Sequence, residues 1–295
     1  MPSTLKLNAA VLAAMEDLSL LAREVVEGFF DGLHRSPFLG YSTEFSAYRS
    51  YAHGDDLRYL DWKVWGRSDK YYIKQFEDDT NLVCRIFLDT SGSMDFGEGD
   101  ANKFDYGRIL AAVLAFLMTR QRDAPGLVLF GDHARSAVPA QAGRHHAEEI
   151  FDVLARTTSR GRTVIDKDLF QILEGFTRRG LSVVISDFFT AGETGLQLLS
   201  QLRAQRQEVI VFHLLAPEEL DLPYQGELLM QDSETGEEQP VHAEGYRAEY
   251  QQRLGQFCER LQNRCIQLEM DYVRLTTNQP LDVALIAYLE KRNAL

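Results

Sequence analysis

Cysteine is scarce in this 295-residue chain, with Cys84, Cys258 and Cys265 the whole complement. Three thiols cannot build a disulfide framework, which points to a reducing compartment. Cys258 and Cys265 fall seven apart on a helical pattern with no ligand partners nearby, so a zinc site is not expected. Basic charge is also in deficit, at 31 Lys and Arg against 44 Asp and Glu, a net charge of −13. No stretch is basic enough to neutralise phosphates, so nucleic-acid binding is excluded. Long apolar runs are missing as well. The longest, 109–118, is about half of the roughly 20 residues a membrane-spanning helix needs, and it reads as a buried helix. The first thirty residues lack a signal-peptide pattern, because Glu16, Asp17, Arg23, Glu24 and Glu27 interrupt them. Repeats and low-complexity linkers are absent too. A cytoplasmic protein with no direct membrane span is expected.

What is present is an ordinary globular composition, 45% hydrophobic and 25% charged. Val11, Met15, Leu18, Ala22, Val25 and Phe29 recur at three- and four-residue steps and predict an N-terminal helix. A Gly- and aromatic-rich segment follows, to about residue 77. From residue 82 onward, apolar runs of strand length alternate with helical patterns. Strands are expected at 82–88, 126–130, 181–186, 208–215 and 270–275, and helices over 147–155, 165–176, 196–206 and 281–289. A hairpin is expected around Thr235-Gly236, and a long helix after it carries Tyr246, Tyr250, Leu254, Phe257 and Leu261. The alternation predicts an α/β fold with a doubly wound, mostly parallel sheet. The expected division is 1–80, holding the N-terminal helix and a small mixed appendage, and 81–295, the main domain with a hairpin insertion near 225–241.

In such sheets ligands gather at the carboxyl ends of the strands. Three loops there hold oxygen donors: Asp89-Thr90-Ser91-Gly92-Ser93, Gly161-Arg162-Thr163 and Ser186-Asp187-Phe188. Hard oxygen ligands without Cys or His suit Mg2+, with Mn2+ or Ca2+ as substitutes. Spacing by two lets Asp89, Ser91 and Ser93 point to one side, with Gly92 relieving the bend. A metal held largely by hydroxyls and waters keeps much of its positive charge and attracts an incoming carboxylate. Taken alone, the first loop also reads as a helix cap.

Asp89-x-Ser91-x-Ser93 resembles the metal-ion-dependent adhesion site of von Willebrand factor A domains. Thr163 resembles that site's threonine, and Asp187 its second aspartate. The resemblance implies serine and threonine oxygens on the metal, aspartates acting largely through water, and a partner's Asp or Glu completing the shell. Upstream, Gly40, Glu44-Phe45, Arg49-x-Tyr51, Gly54-Asp55-Asp56-x-Arg58 and Asp61-Trp62 are similar to the signature of the domain of unknown function 58 family. That resemblance implies a partner or adaptor of a MoxR-type AAA+ ATPase in a chaperone-like system, and a non-enzymatic protein is expected. From the residues themselves, Arg49, Arg58, Asp55 and Asp61 read as a structural ion-pair network with Trp62 as apolar anchor.

The alternative is a Mg2+-dependent phosphohydrolase using Asp89. Against it, a haloacid-dehalogenase-like enzyme places a second Asp where this chain has Ser91. His145-His146 reads as a solvated helix start, His213 as a satisfied core residue, and Glu234, Glu237 and Glu238 as a solvated hairpin tip.

Overall fold

A computed structural model describes residues 17–34, 48–50, 72–74, 82–97, 102–131, 135–143, 145–159, 167–176, 178–189, 192–231 and 238–295. The chain forms two compact units, Met1–Phe30 with Leu82–Leu295, and Asp31–Asn81. In the second unit, β1 (Tyr48–Ser50) and β2 (Tyr72–Lys74) pair antiparallel, with Arg49 opposite Ile73. Glu44, Gly54, Asp55, Arg58, Asp61 and Trp62 lie outside the described residues, as does the side chain of Arg49. The expected ion-pair network therefore falls outside them too.

Helix α1 (Leu18–His34) opens the described chain. Asp17 Oδ1 accepts from the Ser19 and Leu20 amides at 2.9 and 3.2 Å and caps it. Leu18, Ala22, Val25 and Phe29 are buried, as their spacing predicts.

The central sheet is built from β3 (Val83–Asp89), β4 (Ala124–Phe130), β5 (Arg135–Val138), β6 (Leu181–Ser186), β7 (Glu208–Leu215) and β10 (Asp271–Thr276). Its order is β10-β7-β6-β3-β4-β5. The first five are parallel, and β5 runs antiparallel on the edge. Alternate residues face opposite layers, as the pleat requires. Phe87, Val128, Val184 and Val211 pack with residues of α4 (Lys167–Glu174), α5 (Gly192–Ala204) and α7 (Ala243–Gln267). On the other face lies α2 (Lys103–Arg120), buried nearly all round. A Cβ at its Gly107 would meet Leu88, Ile185 and Leu214 side chains at 3.1 to 3.3 Å, so helix and sheet are in close contact there. Helices α3 (His146–Arg156) and α8 (Asp282–Asn293) complete the described layers, and α6 (Pro217–Asp221) follows β7. The antiparallel pair β8 (Glu227–Gln231) and β9 (Glu238–His242) precedes α7. The fold is therefore α/β and doubly wound, with one antiparallel strand on the edge of an otherwise parallel sheet.

Several details differ from expectation. Strand β4 begins at Ala124 and takes in Pro125, whose carbonyl accepts from Gln141 N at 3.2 Å. Strand β5 was not foreseen; four residues of mixed polarity carry too little periodicity to register. His146 is buried, with Nε2 2.9 Å from the Pro139 carbonyl, rather than solvated. His213 is a core residue, as expected, with Nδ1 2.7 Å from the Tyr272 hydroxyl.

Candidate metal centre

Asp89 ends the central strand β3, flanked by β4 and β6, and Ser186 ends β6. Their loops therefore leave neighbouring strands at one edge of the sheet. Thr90 fixes the start of the first loop, its amide and hydroxyl both donating to the Phe130 carbonyl at 2.7 and 3.0 Å. A Cβ at Gly131 would stand 2.5 Å from Thr90 Oγ1, so only glycine permits this approach. The chain then closes into a 3-10 turn, Gly92–Met94, with Met94 N donating to Ser91 O at 3.2 Å. Gly92 itself does not adopt a left-handed backbone. The turn's own hydrogen bonds make the bend.

Asp89 is fully buried. Its Oδ1 accepts from Ser91 N at 2.9 Å and its Oδ2 from Ser186 Oγ at 2.5 Å. Ser91 Oγ lies 3.0 Å from Ser93 Oγ, and Ser93 Oγ donates to Asp187 Oδ1 at 3.1 Å. Four expected site residues, Asp89, Ser91, Ser93 and Asp187, are thus joined in one buried network, Asp89 through the Ser91 amide and the other three through side-chain oxygens. Thr163 lies outside the described residues.

Asp187 is also fully buried, and its Oδ1 accepts from Phe189 N at 3.0 Å. Between them, Phe188 adopts φ 58°, a left-handed backbone costly for a large side chain, held by its amide donating to Ser186 Oγ at 2.9 Å. Burial, and then the neighbouring Asp187 charge, push the Asp89 carboxyl well above the usual carboxylate range.

Sequence reasoning missed two participants. Lys103, the first residue of α2, is fully buried and donates to Asp187 Oδ2 at 2.6 Å and Glu219 Oε1 at 2.5 Å. Glu219 Oε2 in turn accepts from Ala216 N at 2.7 Å. The ammonium sits 4.7 Å from the Phe189 ring centroid and 5.6 Å from that of Phe96. Asn102 caps α2 by accepting from Asp105 N at 2.8 Å and reaches Asp95 Oδ1 at 2.6 Å, joining the helix start to the serine loop.

The donors suit a small hard cation. Neighbouring ligands of an octahedral Mg2+ with oxygens at about 2.0–2.1 Å are roughly 2.9 Å apart. Ser91 to Ser93 and Ser93 to Asp187, at 3.0 and 3.1 Å, match that spacing. A hydroxyl that donates to a carboxylate keeps its lone pairs for a metal. Among the described residues no group of three or more His, Cys, Asp or Glu side chains could hold a metal. An ion here would therefore rest on hydroxyls as much as on charge.

A family described as "Protein of unknown function DUF58" matches residues 47–256. The uncharacterized protein Rv1480 of Mycobacterium tuberculosis is 30% identical over 226 residues, covering 76% of this chain and 71% of that one. A counterpart in Mycobacterium bovis matches equally. Among solved structures, the conserved hypothetical protein BatB from Bacteroides thetaiotaomicron aligns at 14% identity and TM-score 0.47, over 72% of this chain and 100% of that one. A von Willebrand factor type A protein from Catenulispora acidiphila aligns at 17% identity and TM-score 0.35, over 59% and 43%. The SpRpn10 VWA domain aligns at 13% and TM-score 0.39, over 69% and 94%.

Proposed function

The chain belongs to the DUF58 family, and from that premise we propose that it is a protein-interaction module whose carboxyl-edge site binds Mg2+ and, through it, a carboxylate of a protein partner. The observation that carries this reading is the buried network itself: Asp89, Ser91 and Ser93 on one loop meet Asp187 on another, nearly one hundred residues away. Asp89, Ser91, Ser93 and Asp187 would hold the ion and its waters, and Thr163 is the candidate for a further hydroxyl. The bound ion supplies an electropositive point that accepts a carboxylate. The chain's own residues fix the donors, with Ser186 aiming Asp89 and Lys103 aiming Asp187. Two residues past Asp89, where a phosphohydrolase keeps a proton-transferring carboxylate, Ser91 is instead bonded to Ser93, which favours binding over hydrolysis. The family resemblance makes a MoxR-type AAA+ ATPase the candidate partner, and the sparse cysteine makes the cytoplasm the candidate site of action.

The test is calorimetric titration of Mg2+ and Mn2+ into the full chain and into Asp89→Asn, with circular dichroism as the check on folding. Saturable binding to the wild type, lost in the folded variant, is the expected result. A folded Asp89→Asn protein that binds Mn2+ as tightly as wild type would overturn the assignment.

A further inference from the structure

A lysine buried against an aspartate of a cation site is not a neutral feature. Lys103 Nζ occupies Oδ2 of Asp187, while Oδ1 takes the Ser93 hydroxyl and the Phe189 amide. Both oxygens of the second aspartate are thus committed to protein donors. Two aromatic rings lie against the ammonium, and both its carboxylate partners are almost fully buried, so solvent screens the lysine's charge weakly. Lys103, Asp187 and Glu219 together carry a net single negative charge, and Asp89 adds its own when ionised. A divalent ion entering beside Ser91 and Ser93 meets a positive charge already on its aspartate.

We propose that Lys103 is a built-in cation that limits metal affinity in the free protein, so that the ion is retained firmly only when a partner's carboxylate adds the missing negative charge. Lys103 is thus a positioning and tuning residue, acting on the metal through Asp187. Glu219 opposes it: by sharing the ammonium, its carboxylate offsets part of the repulsion and sets how strongly the lysine weakens the site. The proposal rests on the reading of the site as a cation centre and adds to it a reason for metal and partner to bind together. A partner carboxylate would then tighten the metal, and the metal would tighten the carboxylate by the same factor.

Opposite signs in two variants distinguish this role from a structural one. Lys103→Met removes the positive charge, and Glu219→Gln removes its counter-charge while keeping one of its two acceptor oxygens. Mn2+ affinity is measured by calorimetry and by the water-proton relaxation of bound Mn2+, with circular dichroism on each protein. Lys103→Met should bind Mn2+ more tightly by on the order of tenfold or more, and Glu219→Gln more weakly by a similar factor, as a nearby charge dictates. Weaker binding in both variants, or no change in either beside a wild type that binds, would overturn the role of Lys103 and leave the cation centre standing. Absence of Mn2+ binding in all three proteins would remove the cation centre and the proposal together. Should Lys103→Met fail to fold, Glu219→Gln decides: binding equal to or tighter than wild type rejects the proposal.

Discussion

Replacing Ser186 with Ala removes one oxygen from the centre of the site, and the cost can be worked from its contacts. The hydroxyl donates to Asp89 Oδ2 at 2.5 Å and accepts from Phe188 N at 2.9 Å, both in fully buried surroundings. A hydrogen bond to a charged group contributes about 1.5–3 kcal/mol, and leaving a buried amide unpaired costs about 1–3 kcal/mol. Relaxation of the left-handed Phe188 backbone returns about 1 kcal/mol of that. The net expectation is a loss of about 3 kcal/mol, or roughly 6–12 °C in Tm for a domain of this size. Urea unfolding followed by circular dichroism measures it, and an unchanged m-value confirms a change of stability without a change in the surface exposed on unfolding. A loss below about 0.5 kcal/mol, the level of an ordinary surface change, would mean that Ser186 does not hold Asp89.

Two further outcomes follow from other buried polar groups. Arg292 donates to both oxygens of the buried Asp123, at 2.6 and 3.0 Å, and Tyr288 adds a third contact at 3.2 Å. Arg292→Leu leaves that carboxylate uncompensated and should cost about 3 kcal/mol in urea unfolding, whereas a near-neutral result would show that Tyr288 alone suffices. His213 is held neutral by burial, its pKa lowered to about 4 from 6.5. Because the unfolded chain binds this proton first, stability should fall as pH drops from 6.5 toward 4, by about 3 kcal/mol in all. The decline should flatten in His213→Phe, and an identical profile in that variant would assign the effect elsewhere.

Much of the architecture is legible in the residues because the sheet is buried on both faces. Strands β6 and β7 are continuous apolar runs bounded by polar loops, and their limits coincide with expectation. Boundaries slip where local cues compete with tertiary pairing. Pro125 looks like a strand breaker, but β4 extends through it alongside β3. Strand β5 exists only by pairing with β4, and four residues cannot announce that. In the site, Asp89, Ser91, Ser93 and Asp187 are readable because they lie at, or within four residues of, the carboxyl end of a buried strand. Lys103 and Glu219 are not, because their partners lie 84 and 116 residues away and a lysine at a helix start looks solvated. The role of Ser186 was hidden for a similar reason, since its partner Asp89 ends the neighbouring strand.

The order of the sheet also dictates when the site can exist during synthesis. Strand β3 pairs on one side with β4, made soon afterwards, and on the other with β6, made nearly one hundred residues later. A ribosome-bound chain that has released β3, α2 and β4 holds the serine loop and Lys103, but neither Asp187 nor Glu219. The ammonium must then stay hydrated, because α2 cannot bury its first turn without those carboxylates. Closure of the site therefore waits until β7 and α6 have emerged, and chains truncated before residue 219 should expose the start of α2 to solvent exchange.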